Sequence, residues 1–304
     1  MLTLKAQPDS RFEMRRYFTR NGRAAFSIAL KLIGAGERIL VPAYIGLSPK
    51  EGSGVFDPIS ESGSLYDFYA VDDQLSPVMA DFERKIARPE VKAVLVIHYF
   101  GFPPHHFDQI VALCKKHGKI LIEDCAHAFD SYHKGQKLGT FGDITFYSIH
   151  KYLPIERGGI LSINNPTIAI PDVHDDSEAS VISSYVRADL EEIRRVRRDN
   201  FAYLNAKRGG IWAFFENLPE GVVPLNFPIR IEKVDRNDVY TALQRADIPT
   251  SSIYHTLIPQ IVSAEYPISH AVSRSILNLP IHQTVTHAEI DHMIDVLHRV
   301  LSLP

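Results

Sequence analysis

Short, continuously apolar segments alternate with helix-period segments through the first half of this chain. The apolar segments have the length of strands and occupy 38–42, 93–98, 119–124 and 144–148. Between them, apolar residues recur every three or four positions along 22–33 and 107–114, which predicts two amphipathic helices. The first helix is predicted to bury Ala25, Ile28, Ala29, Leu32 and Ile33. Strands that are apolar on both faces and separated by helices are typical of an α/β protein with a mostly parallel sheet covered by helices.

The second half is organised differently. Turns rich in Pro and Asp occupy 165–176, and a charged helix is predicted over 189–198. Further on, 225–231 is predicted to be a strand. Thr286 and Glu289 form a candidate capping box, which predicts the start of a last amphipathic helix.

The chain has 304 residues, which at ~150 residues per domain allows about two domains. We predict a large domain over 1–185, which carries the mostly parallel sheet, and a smaller α/β C-terminal domain over 190–304. A net charge of −3 gives no general attraction to nucleic acid or membranes, and neither is an expected partner. Cys114 and Cys125 have no CxxC partner, so a cytoplasmic location is expected. Residues 1–22 show no signal peptide, and no apolar run is long enough to cross a membrane.

Three features of the first half could carry chemistry. Asp124 ends an apolar strand, where open α/β sheets bind ligands, although such an acid can also cap the next turn. Lys151 closely follows the fourth strand and is either a Schiff-base nucleophile or a solvated charge. The helix start at 21–24 offers backbone N–H groups to a phosphate, although a plain helix start looks similar. Together, a phosphate site, a buried carboxylate and a lysine beside strand ends match what pyridoxal phosphate (PLP) requires.

These residues lie in longer motifs that resemble a known family. Residues 122–128 (IEDCAHA) are followed by Gly135, 138–143 (LGTFGD) and 146–148 (FYS). This order and spacing is similar to the signature of the DegT/StrS-type sugar aminotransferases, which belong to the fold type I PLP enzymes. Further similar segments are NGRAAF at 21–26, VPAY at 41–44, HYFG at 98–101 and LNLPIH at 277–282. The resemblance covers nearly the whole chain.

The resemblance implies roles for individual residues. Lys151 would hold PLP as a Schiff base and act as acid and base in the proton shift, and Asp124 would pair with the pyridine nitrogen. His127 would lie beside the cofactor ring, and the Ser148 hydroxyl would donate to the phosphate. The backbone N–H groups that would also face the phosphate belong to Gly22, Arg23 and Ala24. Family members are homodimers with the active site at the subunit interface, so a homodimer is expected.

The chain departs from the family pattern at three separate places. The spacing from Ser148 to Lys151 is two residues shorter than the commonest one. The family often places an aromatic residue, which stacks on the cofactor ring, in the loop after the first predicted strand. Gly46 stands there in this chain, so Tyr44 or a residue elsewhere is expected to bind the ring. The Asn-Tyr-Arg segment that many members direct to the partner subunit is missing between 164 and 189.

The resemblance implies a PLP-dependent aminotransferase of sugar or polysaccharide biosynthesis. By resemblance, the amino donor is glutamate and the acceptor is a keto sugar linked to a nucleotide. Two alternatives stay open. One is a PLP enzyme of the same fold that acts on a non-sugar carbonyl or as a sugar dehydratase. The other is a catalytically idle cofactor-binding protein.

Other polar residues are interpreted as structural or solvated. Glu123 is expected to point to the opposite face of its strand from Asp124 and to be structural. No metal site is predicted, since the histidines include no HExxH motif. The arginine cluster is either the solvated face of a helix or a grip for a phosphorylated substrate, and it comprises Arg194, Arg195, Arg197 and Arg198.

Overall fold

The computed structural model describes residues 15–169, 171, 178–251 and 253–302. The expectation of no signal peptide rests largely on 1–14, and the Asp-rich turns lie largely in 172–177, so both fall outside the described residues. The strands are β1 (Arg15–Thr19), β2 (Arg38–Pro42), β3 (Leu65–Tyr69), β4 (Val91–Ile97), β5 (Ile120–Asp124), β6 (Tyr132–His133), β7 (Gln136–Lys137), β8 (Ile144–Ser148), β9 (Gly159–Ile163), β10 (Trp212–Ala213), β11 (Phe227–Arg230) and β12 (Ile276–Leu279). The α-helices are α1 (Gly22–Ile33), α2 (Phe56–Ser62), α3 (Met79–Ile86), α4 (Phe107–Lys116), α5 (Glu178–Arg187), α6 (Leu190–Lys207), α7 (Arg236–Arg245), α8 (Pro267–Ser275) and α9 (His287–Leu301). Single turns of 3-10 helix cover Tyr99–Gly101 and Ile149–Lys151.

The main sheet has seven strands in the order β1-β9-β8-β5-β4-β2-β3. From β3 to β8 all neighbouring strands are parallel, whereas β9 runs antiparallel to both β8 and β1. Strands β4, β5 and β8 are buried along nearly their whole length, as expected of apolar strands covered on both faces. The predicted α/β fold with a mostly parallel sheet is therefore confirmed.

Helix α1 packs on β8 and β9 with a slightly different face from the one predicted. Its buried residues are Gly22, Ala25, Phe26, Ala29, Leu30 and Ile33. Ile28 and Leu32 belong to the predicted stripe but are only partly buried. Phe26 is buried instead because its ring stacks on Phe146 of β8, with 4.7 Å between the ring centroids. The helix forms where predicted, but packing on the sheet buries a slightly different side of it.

The start of β9 lies against the chain that enters α1. Gly159 pairs with both Thr19 of β1 and Ser148 of β8. A Cβ at Gly159 would lie 2.3 Å from the carbonyl carbon of Asn21, so only glycine fits between these backbones. This close approach brings the start of α1 next to the end of β8.

A second, antiparallel sheet in the C-terminal half has the order β10-β11-β12. Helix α7 packs on β12 and on α9, and α6 packs on α9. Helix α9 starts at the predicted capping box, in which Thr286 and Glu289 cap each other's backbone. The division into domains over 1–185 and 190–304 stays a prediction. Within the described residues, no helix combines the length and apolar content that crossing a bilayer requires.

Candidate functional site

The sequence-predicted site residues lie around one edge of the main sheet. The parallel strands β2, β4, β5 and β8 all end at this edge, and Ile97 at the end of β4 pairs with Asp124 at the end of β5. Ser148 ends β8, and the turn carrying Lys151 follows at once. Ligands of open α/β sheets bind at this edge because the connecting loops open there. The fold thus brings together residues that are more than 120 positions apart in sequence, from Gly22 to Lys151.

Asp124 is 4% exposed and uses only part of its hydrogen-bonding capacity. Its Oδ1 accepts a hydrogen bond of 2.8 Å from the Ala126 N–H, so the carboxyl does cap the turn after β5. In the described part of the chain, Oδ2 accepts no hydrogen bond. Burial raises the pKa of Asp124 to about 6, although the Ala126 N–H and the charge of Lys151 oppose this rise. The carboxyl therefore offers one buried acceptor to a cationic N–H group.

Lys151 closes the 3-10 turn that follows β8. Burial lowers the pKa of the Lys151 ammonium, and the charges of Asp124 and Glu51 act in the opposite direction. A lowered pKa increases the fraction of uncharged amine, which is the nucleophilic form. The lysine and the carboxylate are thus close enough for each charge to affect the other's pKa.

The start of α1 lies against Ser148. A Cβ at Gly22 would lie 3.2 Å from the Ser148 Cβ and 3.5 Å from its Oγ, so the hydroxyl adjoins the first turn of the helix. The N–H groups of Gly22 and Arg23 have no intrahelical acceptor at this position. Ala24 differs from the prediction, because its N–H donates to the Asn21 side chain at 2.9 Å and is not free for a phosphate. The first two amides and the hydroxyl are adjacent donors that could hold an anion, and this group is termed the anion cradle.

The ring of His127 stacks on Phe100, with 6.0 Å between the centroids, and its Nδ1 accepts from the Phe100 N–H at 3.5 Å. Burial and the charge of Lys151 lower the pKa of His127 well below its ordinary value, so the ring is neutral. Tyr44 is fully buried, and in the described part of the chain its hydroxyl has no hydrogen-bond partner. Its ring packs 5.2 Å from Tyr254, a residue that the sequence patterns did not single out.

Glu123 points to the other face of β5, as the strand alternation predicts. Both oxygens are used: Oε1 accepts from the N–H groups of Phe141 and Gly142, and Oε2 from the Gly139 N–H at 2.9 Å. His98 Nε2 lies 2.9 Å from the same Oε2. Together with Cys125 these residues form a group of potential metal ligands within 4.8 Å. The carboxylate is already satisfied by protein donors, and the prediction of no metal site stays a prediction.

The arginine cluster on α6 is solvated only in part: Arg195 is exposed and pairs with Glu192, whereas the other members contact the protein. The buried Arg197 donates 3.1 Å to the Lys151 carbonyl oxygen and packs on the Tyr152 ring at 4.5 Å. Arg194 pairs with Asp130 at 2.6 Å. The helical spacing gave no sign of this, because which arginines point inward depends on how α6 docks on the main sheet.

The comparisons with known proteins identify a family and several relatives. Residues 18–170 match the model of the DegT/DnrJ/EryC1/StrS aminotransferase family. The chain is 32% identical over 153 residues to the GDP-perosamine synthase of Escherichia coli O157:H7, a match that covers 49% of this chain and 40% of that protein. It is 34% identical over 131 residues to the UDP-N-acetyl-3-dehydro-alpha-D-glucosamine 3-aminotransferase of Acidithiobacillus ferrooxidans, covering 42% of this chain and 33% of that protein. The matches thus span well under half the length of these curated relatives.

The fold comparison extends further along the chain than the sequence comparison. Spr1654 of Streptococcus pneumoniae, solved in its PLP-form, superposes with a TM-score of 0.79 at 17% identity. That match covers 94% of this chain and 86% of the other. At this identity the likeness establishes the fold alone. The family match covers half of the chain, including the turn with Lys151, and the chain belongs to the DegT/DnrJ/EryC1/StrS aminotransferase family.

Proposed function

We propose that this protein is a PLP-dependent aminotransferase that moves an amino group from an amino acid to a keto sugar. One observation carries the proposal: a buried carboxyl with a free oxygen, an amine of lowered pKa and an anion cradle meet at one sheet edge. Its chemistry matches three separate parts of PLP, namely the pyridine nitrogen, the aldehyde and the phosphate. A site with only one of these groups would not distinguish PLP from other ligands.

The described residues fit the cofactor group by group. The Asp124 Oδ2 would accept a hydrogen bond from the protonated pyridine nitrogen, and this pairing would hold the carboxyl in its ionised form. The Ser148 hydroxyl and the Gly22 and Arg23 N–H groups would hold the phosphate. The neutral His127 would lie beside the ring without adding a charge. When bound, PLP supplies an electron sink for the carbanion that forms when a substrate loses a proton.

Lys151 would act twice. Its uncharged Nζ would hold the cofactor through the aldehyde group. Once the amino substrate takes that place, the same Nζ would be free to accept and return a proton beside the substrate α-carbon. Arg197 would hold the turn in position through the Lys151 carbonyl during both steps.

The substrates and the assembly are further parts of the proposal. The two sequence relatives are named as a GDP-perosamine synthase and a UDP-N-acetyl-3-dehydro-glucosamine aminotransferase. These names support a nucleotide-linked keto sugar as acceptor and, by resemblance, glutamate as donor. We further propose a homodimer with the active site at the interface. The free, buried Cys114 and Cys125 are consistent with a cytoplasmic protein.

The proposal can be tested in two steps on the purified full chain. Incubation with PLP and removal of the excess is expected to leave a visible absorbance band, and borohydride reduction is expected to fix the cofactor on Lys151, as located by peptide mass spectrometry. Glutamate is then expected to abolish the band with release of one equivalent of 2-oxoglutarate. Return of the band with one member of a panel of nucleotide-linked keto sugars would identify the acceptor.

Lys151→Ala is expected to lower transamination by roughly 10²–10⁴-fold or more, because the proton carrier is lost. The matched control is Lys116→Ala, which removes an exposed lysine at the end of α4 and is expected to change nothing. A wild-type chain that stays colourless with PLP would contradict the proposal. A coloured chain that releases no 2-oxoglutarate would favour a dehydratase, another PLP reaction or an idle protein.

A further inference from the structure

The loop after β2 is paired with a distant C-terminal segment. The Leu47 N–H donates to the Thr256 carbonyl at 2.9 Å, and the Ile258 N–H donates to the Ile45 carbonyl at 3.0 Å. Gly46 forms an antiparallel bridge with Leu257 between these hydrogen bonds. Segments more than 200 residues apart in sequence are thus held together beside the site.

This pairing places the ring of Tyr254 where a side chain at position 46 would lie. A Cβ at Gly46 would be 2.9 Å from the Tyr254 Cδ1, 3.4 Å from its Cε1 and 3.5 Å from its Cα. The φ angle of Gly46 is not in the left-handed region, so its backbone could accept other residues. The glycine is therefore required by the Tyr254 ring and not by a turn.

The Tyr254 ring also faces the site. Its centroid lies 5.8 Å from the His127 ring and 5.9 Å from the Phe100 ring, in edge-to-face orientation to both. Burial and the charge of Asp124 raise the pKa of the Tyr254 hydroxyl well above its ordinary value, which keeps this side chain neutral. The Tyr44 ring also contacts Tyr254, with 5.2 Å between the ring centroids. Among the described residues, the tyrosine whose ring contacts His127 is Tyr254.

The backbone of Tyr254 is held in an uncommon conformation. Its φ is 66°, in the left-handed region that a bulky residue rarely adopts. The Ser273 hydroxyl donates to its carbonyl at 2.8 Å, and the Asn278 side chain donates to the carbonyl of the preceding Ile253 at 3.3 Å. Strained residues that are fixed in this way are found where their side chain has a specific position to fill.

We propose that Tyr254 provides the aromatic wall on which the PLP ring lies, in place of the side chain that position 46 lacks. This inference rests on the proposed function. Two rings on either side of a third stand roughly 7–8 Å apart, twice the contact distance between carbon atoms. The Tyr254 and His127 rings are 5.8 Å apart, so they would have to separate by about 2 Å for the cofactor ring to lie between them.

The test measures two quantities for each variant: the PLP dissociation constant, by fluorescence titration, and the visible circular dichroism of the PLP-bound form. Tyr254→Ala is expected to weaken PLP binding by roughly three- to tenfold, the usual value of one aromatic contact, and to reduce the dichroic band. Tyr254→Phe is the matched control and is expected to keep both, because the ring and not the hydroxyl makes the contact. Tyr254→Leu keeps the bulk without the ring and covers the case in which the alanine variant is unstable.

A transfer of the ring makes the test sharper. The double variant Gly46→Phe with Tyr254→Ala is expected to recover PLP binding, because the ring then comes from the loop after β2. Gly46→Phe alone is expected to lower the melting temperature, since both rings compete for one space, and this result does not depend on the cofactor. A Tyr254→Ala variant that binds PLP as tightly as the wild type, or more tightly, would overturn the inference while leaving the proposed function intact. A wild-type chain without PLP binding would overturn both.

Discussion

The two faces of strand β5 carry neighbouring carboxyl groups in opposite conditions. Glu123 is fully buried and accepts from three backbone N–H groups and from His98, so none of its oxygens is left unused. Asp124 is almost as buried, yet it accepts one hydrogen bond from the Ala126 N–H, and its pKa is raised to about 6. Both oxygens of the Glu123 carboxyl thus have hydrogen-bond donors within the described residues, whereas one oxygen of the Asp124 carboxyl has none.

The difference separates stability from function. A buried carboxylate costs several kcal/mol unless donors replace its lost hydration, and on the Glu123 face the loop after β7 provides them through Gly139, Phe141 and Gly142. On the Asp124 face, no loop of the described residues provides a comparable set of N–H donors. The burial of this carboxyl therefore lowers the stability of the folded protein. We infer that the cofactor would complete this second environment. The comparison can be tested from both sides.

The largest effect is expected on the Glu123 face. Glu123→Gln replaces one acceptor oxygen by an NH₂ group, which then faces the Gly139 N–H or the Phe141 and Gly142 N–H groups without an acceptor. We expect a loss of about 3 kcal/mol or more in the free energy of unfolding, because buried donors lose a charged partner. Urea denaturation of the cofactor-free protein measures it. A loss below about 1 kcal/mol would contradict the idea that this carboxylate holds the loop.

The next effect concerns Asp124→Asn and its dependence on pH. The pKa of Asp124 in the folded protein, about 6, is above its ordinary value of 3.8, so the folded state binds the proton more tightly than the unfolded state. Wild-type stability therefore falls relative to Asp124→Asn as pH rises from about 4 to about 6, by roughly 2–3 kcal/mol in total. Above and below this window the difference between the two proteins is expected to be constant.

Denaturation of both proteins at a series of pH values checks the window, since all shared titrating groups cancel in the difference. The same substitution is expected to weaken PLP binding by roughly ten- to 100-fold, because a charge-assisted hydrogen bond to the pyridine nitrogen is lost. From pH 4 to neutral pH the stability difference would thus shift in favour of Asp124→Asn, whereas the same substitution weakens cofactor binding. A difference that does not vary between pH 4 and 6 would show that Asp124 is not held out of water as described.

The smallest effects come from a matched pair of hydroxyls on β8. Thr145 is fully buried and donates to the Gly139 carbonyl at 2.8 Å, so Thr145→Val is expected to cost about 1 kcal/mol of stability and leave PLP binding unchanged. The Ser148 Oγ has only a 3.3 Å contact with His150, so Ser148→Ala is expected to change stability by less than about 0.5 kcal/mol. The same change is expected to weaken PLP binding by about tenfold, measured by titration. If Thr145→Val weakened PLP binding and Ser148→Ala lowered stability instead, the structural role of Thr145 and the cofactor-binding role of Ser148 would both be contradicted.

Much of the fold was predictable because its signals are local. The apolar runs at 93–98, 119–124 and 144–148 have the length and composition typical of buried strands, and the structure has β4, β5 and β8 there. The edge strand β1 carries three charged or polar residues among five, and its pattern is too weak to identify without its partner β9. The antiparallel direction of β9 also depends on the neighbours that it pairs with and not on its own residues.

The site divides in the same way. Asp124 and Lys151 were predicted from their positions after apolar strands, and His127 and Ser148 from the family resemblance; all four lie within one stretch of 28 residues. Ala24 was included because it belongs to a helix start, and only the structure shows that the Asn21 side chain takes its N–H. Arg197 was not identified as part of the site, because α6 had to be docked before its inward face was known.

The sequence alone determined the apolar strands β2, β4, β5 and β8, helices α1, α4 and α9, and the order of the acid and the lysine along them, because each of these depends on residues that are near one another in the chain. The tertiary structure decided which rings and charges surround them. Tyr254 reaches the site only because its segment pairs with the loop around Gly46, more than 200 residues earlier. No local pattern encodes such a contact, since its stability comes from backbone pairing and packing between distant segments.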